Sequence, residues 1–297
     1  MFNLIKYLPT NTSINFLGLK KPMIIISSFI ILISILLLSF KGLNLGIDFK
    51  GGLLIEAKMK NFSISELRSE LNQKFDDVTI QEFGSEDNII IRLQNKEDID
   101  NAILIDNVKN LIEDKVIEFR RSEYVGPTIS NELFINGLQA IVLSMFAILI
   151  YVWFRFEWQF GIGAVIALIH DVLFTLGILS IFNIDFNLST IAAILTISGY
   201  SINDTVVIYD RIRENLRKYK KTDILDLFNI SLNNTFSRTL ITSVTTLIAL
   251  LSLYILGGEV IRSFSFTMIV GVLIGTYSSI YIAVPALLLF KFRKSEE

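Results

Sequence analysis

The chain has 297 residues, 52% of them hydrophobic, 19% charged and none cysteine, with a formal net charge of −2 and a mean hydropathy of +0.56. Soluble domains of this length are rarely so apolar. The charges are also clustered: Pro22 to Phe40, Leu133 to Phe154, Thr239 to Gly258 and Ser263 to Phe290 carry none, which excludes an ordinary cytosolic enzyme, a disulfide-stapled secreted domain and a coiled coil.

Residues 1–22 read as a cytoplasmic segment, and Met23 to Phe40 as the first membrane span. Its 18 uninterrupted residues exceed the apolar core of a signal peptide and no small-residue cleavage site follows before Lys41, so a retained anchor is expected. Residues 41–132 form a soluble insert. Five further spans occupy 133–290, at Leu133 to Phe154, Phe160 to Phe182, Leu188 to Tyr209, Thr239 to Leu256 and Phe264 to Phe290. At 1.5 Å per residue such segments reach about 27 to 40 Å, against a hydrocarbon core of about 30 Å.

The short loops set the orientation. Residues 210–238 carry Arg211, Arg213, Arg217, Lys218, Lys220, Lys221 and Arg238, the tail 291–297 adds Lys291, Arg293 and Lys294, and Lys6, Lys20 and Lys21 precede the first span. Lys and Arg concentrate on the cytoplasmic side, so both termini and the 210–238 loop are expected there and 41–132 in the periplasm. From Gly42 to Ser130 the insert has 17 acidic and 11 basic residues, a net of −6, and gives no sign of nucleic-acid binding. Its pattern reads as strand (Gly52 to Ala57), helix from a Ser63/Glu66 capping box to Phe75, strands Val78 to Phe83 and Asn88 to Leu93 about a Gly84 to Asp87 turn, helix Asp98 to Asp114, and strand Val116 to Phe119. That β-α-β-β-α-β order predicts a ferredoxin-like α+β domain inserted between the first two of six transmembrane helices, a scaffold that implies no one function.

Within the spans the ionisable groups are His170, Asp171 and Asp204, with Arg238 at the start of the fifth. An isolated charge at depth costs about 2.5–3.5 kcal/mol on insertion scales, so these groups are expected to face one another or a wet cavity. At 100° per residue, Ser198, Ser201, Asp204 and Thr205 share one helix face, and Arg238, Thr242, Thr245, Ala249 and Ser252 another, which places the two stripes to pack together with Asp204 and Arg238 in one leaflet. The residues alone leave a plainer reading open, in which Asp204 reaches the headgroups and Arg238 snorkels as an anchor. Asp171 lies mid-span, suited equally to a structural hydrogen bond and to proton chemistry. His170 points about 100° away from it, need not pair with it, and suits a packing role. Gly161, Gly163 and the Gly271/Gly275 pair permit close helix approach, and Pro285 is expected to loosen the last turns of its span. No P-loop, HExxH motif or cysteine is present, so no catalytic set, cofactor or metal site is expected.

Five stretches together carry a resemblance: GLNLGIDFKGG at Gly42 to Gly52, VGPTIS at Val125 to Ser130, GYSINDTVVIYDRIREN at Gly199 to Asn215, SRTLITSVTTL at Ser237 to Leu247 and GTYSSIYIAVP at Gly275 to Pro285, with the His170–Asp171 dipeptide between them. In this order and layout the chain resembles the SecD/SecF family of bacterial export proteins, within the resistance, nodulation and division superfamily. The resemblance implies a multi-pass protein of the bacterial inner membrane that uses the proton-motive force to promote preprotein export, with SecD, the SecYEG channel and YajC as partners. It assigns Asp204 and Arg238, and less directly Asp171, to proton coupling, and marks Asp48, Gly51, Gly52, His170 and Gly199 as motif residues. Leu53 departs from the threonine common after DFKGG, which puts hydrogen bonding at a strand edge in question. Two other readings stay open: a proton-coupled exporter of small hydrophobic solutes, and a structural scaffold of the translocon.

Overall fold

The computed structural model describes residues 12–75, 78–83, 85–93, 101–257 and 259–290. The tail at 291–297, the first 11 residues, Gly84 of the expected turn and the expected helix start at Asp98 lie outside these. The elements in order are α1 (Lys20–Phe40), α2 (Ile47–Lys50), β1 (Gly52–Met59), α3 (Ile64–Asn72), β2 (Thr79–Phe83), β3 (Ser85–Leu93), α4 (Asn101–Ile112) and β4 (Val116–Val125). The long helices α5 (Pro127–Arg155), α6 (Trp158–Ile181), α7 (Leu188–Lys218), α8 (Ile224–Leu256) and α9 (Glu259–Ser278) follow, and a π-helical turn at Ser279–Ala283 leads into the short α10 (Val284–Leu287). The chain divides into Leu45–Leu138 and the unit formed by Met1–Asn44 with Gln139–Glu297.

The first unit is built on an antiparallel sheet of order β2-β3-β1-β4, the ferredoxin-like arrangement that the element order implies. β1 is an interior strand with one wholly apolar face. Leu53, Ile55, Ala57 and Met59 join Leu67 and Leu71 of α3 and Val108 and Ile112 of α4 in the main core, while Leu54 meets Ile47, Ile90 and Val125 on the other side. Each fully buried Leu, Ile or Met side chain contributes about 1.5–3 kcal/mol. Leu53 is therefore a core residue, paired with Leu93 and Tyr124 rather than at an edge. Three expectations change. Ser63 caps α3 without a side-chain bond to its backbone, its hydroxyl meeting Ser65 instead, so the capping box does not form. β3 starts at Ser85, paired with Phe83, so the hairpin is tighter than the expected four-residue turn. β4 runs on to Val125 because β1 supplies a full-length partner across two irregular steps, overriding a polar local sequence.

The second unit has six helices long and apolar enough to cross a membrane. About half or more of the apolar window of α6, α7 and α9 is buried, whereas α1, α5 and α8 are mostly exposed. Glycines set the close approaches: a Cβ on Gly271 would run into Ile197, one on Gly275 would stand 3.0 Å from the Ser201 Cβ, and one on Gly177 would meet Ser34. Gly199 meets nothing within 4 Å, so packing does not demand glycine there. The 210–238 segment is mostly helix. α7 continues to Lys218 and α8 begins at Ile224, because Ile208, Ile212 and Asn215 on one and Leu227, Phe228, Ser231 and Leu232 on the other keep an inward face at helical spacing. Pro285 has no N–H for the carbonyl four residues back, and the π-helical turn immediately precedes it.

Two tethers were not legible in the sequence. Phe16 and Leu17 enter the helix core, and Asn229 and Asn233 of α8 bind the backbone beside them: Ile14 N–H donates to Asn233 Oδ1 at 2.8 Å, Asn233 Nδ2 donates to the Ile14 carbonyl at 2.8 Å, and Leu17 N–H donates to Asn229 Oδ1 at 3.0 Å. Beyond α1, Lys41 Nζ donates to the Ser180 carbonyl at 2.6 Å at the carboxyl end of α6, and Phe186 N–H donates to the Asn44 carbonyl at 2.8 Å.

Candidate functional site

Asp171 is the hub of a polar cluster inside the helix bundle. It lies midway along α6, is fully buried, and accepts from three side chains on three helical segments. Ser201 Oγ of α7 donates to Oδ2 at 2.6 Å and Ser278 Oγ at the end of α9 donates to the same oxygen at 2.8 Å. His170 Nδ1 stands 3.0 Å from Oδ1. The neighbouring pair thus does meet, against the expectation from helical angle, because the ring folds its near nitrogen over the adjacent carboxylate. Three donors offset the desolvation that an acid at this depth would otherwise suffer. The far nitrogen of His170, Nε2, is buried with no partner among the described residues, and the ring packs beside Phe174 and Tyr277.

The cluster continues along α7. Ser198, Ser201, Asp204 and Thr205 are all buried, as their shared face requires. Thr205 Oγ1 and Ser279 Oγ are 2.9 Å apart, and Tyr209 Oη donates to the Ala283 carbonyl at 3.0 Å. Both partners belong to the π-helical turn, so the irregular backbone before Pro285 takes the polar contacts of Thr205 and Tyr209. Ser278, Ser279 and Tyr209 were not singled out in the sequence. The adjacent serines of TYSSIY, in a span otherwise rich in Ile, Val and Ala, were the available signal.

Asp204 is 3% exposed, and its Oδ2 is buried with no hydrogen-bond partner among the described residues. Arg238 does not close on it. The arginine is exposed and no ion pair joins the two. The expected packing of the two stripes is therefore corrected. α8 turns Thr239, Ser243 and Leu250 inward, with Ser243 Oγ 2.7 Å from Thr276 Oγ1 of α9, and leaves Arg238, Thr245, Ala249 and Ser252 outward. Residue 239 lies about 100° round the helix from 238, so one polar face excludes the other from the core. The outer hydroxyls satisfy themselves on their own backbone, Thr245 on Ile241 and Ser252 on Ile248.

The remaining motif residues shape the start of β1. Asp48 sits in the first turn of α2. Gly51 and Gly52 have φ of +72° and +108°, a backbone that other residues rarely adopt. A Cβ on Gly51 would stand 3.1 Å from Ser130 Oγ and 3.2 Å from the Val125 carbonyl. Because Gly52 pairs with Val125, the DFKGG and VGPTIS stretches are neighbours in space.

A family model described as "Protein export membrane protein SecD/SecF, C-terminal" matches residues 105–293, and one described as "SecD/SecF GG Motif" matches 36–61. The chain belongs to the SecD/SecF family. On the SecF side of that family, it is 44% identical over 298 residues to the protein translocase subunit SecF of Rickettsia bellii, covering 99% of this chain and 98% of the relative. With the SecF subunit of Rickettsia rickettsii it shares 43% over 295 residues, 98% of this chain and 96% of the relative. Among solved structures it is similar to SecDF of Thermus thermophilus, described as a translocon-associated membrane protein, with a TM-score of 0.86 at 35% identity over 94% of this chain. A second SecDF structure, in a super-membrane-facing form, matches with a TM-score of 0.69 at 33% identity. The chain spans 39% and 38% of those two solved chains. It is thus a multi-pass membrane protein of the SecD/SecF family of protein-export proteins, and the GG motif of that family is the left-handed Gly51–Gly52 turn into β1.

Proposed function

We propose that the protein is the SecF-type subunit of a Sec translocase, working beside a SecD partner and the SecYEG channel, with YajC as a further associate, in the bacterial inner membrane. In this reading the ferredoxin-like domain lies in the periplasm, both termini are cytoplasmic, and proton movement through the helix bundle promotes preprotein export. Asp204 carries the proton, Arg238 sets its affinity as a permanent positive charge, and Asp171 has the weaker part of holding the helices around it. The observation that carries this is Asp204: a carboxylate almost wholly buried within a span, with one oxygen that has no hydrogen-bond partner among the described residues and no ion pair to Arg238. A structural acid is normally satisfied, as Asp171 is, whereas a carrier needs an oxygen free to take a proton and a counter-charge free to move. The outward stripe of Arg238, Thr245 and Ser252 supports a partner within the membrane, since an arginine facing lipid alone is costly.

The test uses inverted membrane vesicles containing Asp204→Asn or Arg238→Ala, each with its partner complex, exporting a slowly translocating preprotein with and without a proton uncoupler. Each variant removes a charge from the membrane region, so normal protein levels are expected. The uncoupler-sensitive part of export should be lost and the ATP-driven part kept. Wild-type-like uncoupler-sensitive export by Asp204→Asn would overturn the proton site and favour the scaffold reading.

A further inference from the structure

At the end of α7 a cavity of about 510 Å³ is lined by Arg155, Asp210, Arg213, Glu214, Arg217 and Lys218. Five of the six recur at positions 210, 213, 214, 217 and 218, one face of a helix. Arg155 closes the cavity from the last residue of α5. Both acids are already engaged: Asp210 Oδ2 accepts from Arg155 at 2.9 Å, and Glu214 Oε2 accepts from Arg211 at 2.6 Å. Arg213, Arg217 and Lys218 are left with no acidic partner among the described residues, and Arg213 Nε is buried without an acceptor. With three cations left without an acidic partner, this wall presents positive charge suited to an anion.

The position says which anion. α5 ends at Arg155, α6 begins at Trp158, and the Trp158 ring meets Phe290, where the last span ends, at 5.2 Å and 76°. Arg155 therefore lines the cavity at the junction of α5 and α6, three residues from an aromatic pair of the kind found at the membrane–water boundary. Basic residues at such a boundary have a plain role in fixing orientation. That role requires no cavity lined by cations without acidic partners.

We propose that this cavity is a binding site for the phosphate of an anionic phospholipid headgroup. Arg213 and Arg217 hold the phosphate oxygens through guanidinium hydrogen bonds, Lys218 adds a point charge at the rim, and the acyl chains lie against the spans. Guanidinium suits phosphate because its forked donors match two oxygens at once.

The experiment titrates the full-length chain, alone and within its membrane complex, with dioctanoyl phosphatidylglycerol, dioctanoyl phosphatidylcholine and inorganic phosphate, reading occupancy by native mass spectrometry. Phosphatidylglycerol should bind saturably in both samples, and phosphatidylcholine and inorganic phosphate at least about tenfold more weakly. At about fivefold per cation removed, Arg213→Gln with Arg217→Gln should weaken phosphatidylglycerol binding about 25-fold. Lys221→Gln, which removes the same charge just beyond the helix and outside the cavity, should change it less than about twofold. If the Arg213 variant does not fold, Arg217→Gln with Lys218→Gln, both exposed, should show a comparable loss. Unchanged binding in either pair, or an equal loss in Lys221→Gln, overturns the site. Inorganic phosphate binding as tightly as the lipid would reassign it to a free anion. Binding to the chain alone that disappears in the complex would make the cavity part of a protein interface.

Discussion

Ser201 on α7 donates to Asp171 on α6 at 2.6 Å, and Gly275 of α9 lies against the Cβ of that same serine. One small residue thus closes the hydrogen bond that joins two helices and leaves room for a third. Asp171→Leu would leave Ser201, Ser278 and His170 Nδ1 without their acceptor, and should destabilise the detergent-solubilised protein by about 2–3 kcal/mol. Asp171→Asn keeps the shape and one acceptor oxygen and should cost less than about 1 kcal/mol. Thermal unfolding in one detergent checks both, and equal losses would show that the three contacts contribute little.

Gly271 and Gly199 should behave in opposite ways. A methyl group at 271 runs into the buried Ile197, and overpacking of this kind costs about 1–3 kcal/mol. Gly199→Ala enters open space and should be neutral or gain up to about 1 kcal/mol in helix propensity. In a double-mutant cycle, Ile197→Ala should recover part of the Gly271→Ala loss.

Lys41 ties the loop after α1 to the end of α6. Its ammonium donates to the Ser180 carbonyl, and Ser180 Oγ donates to the Gly42 carbonyl at 2.7 Å. A cation at a helix carboxyl terminus is worth about 0.3–1 kcal/mol and up to about 2 when partly buried. Lys41→Met should lose about 1 kcal/mol of stability and Lys41→Arg less than half of that, by the same unfolding measurement. Full stability in Lys41→Met would mean that the serine contact alone secures the loop.

The topology can be read with reporters. A phosphatase fused near Asn88 should be exported and active, and one fused near Lys220 should remain inside and inactive, because the basic residues of 211–221 resist translocation. An active reporter at Lys220 would invert the orientation and move the ferredoxin-like domain into the cytoplasm.

The sequence by itself determined what depends on local pattern. Six charge-poor runs fixed the number of candidate spans, the alternation of apolar residues fixed the strand and helix order of the inserted domain, and helical spacing put Ser198, Ser201, Asp204 and Thr205 on one buried face. These follow from periods of 3.6 and 2 residues, which the chain carries whatever its neighbours. Tertiary structure decided everything that depends on which face meets which partner. Arg238 and Thr239 are adjacent in sequence, and only the packing of α8 on α9 turned Thr239 inward and Arg238 out. Ser278 at the end of α9 and Ser279 in the π-helical turn gained Asp171 and Thr205 as partners only through the packing of the last span on α6 and α7. Likewise Asn229 and Asn233, unremarkable in an asparagine-rich chain, gained their role from a segment more than 200 residues earlier, whose backbone groups needed partners that no local pattern announces.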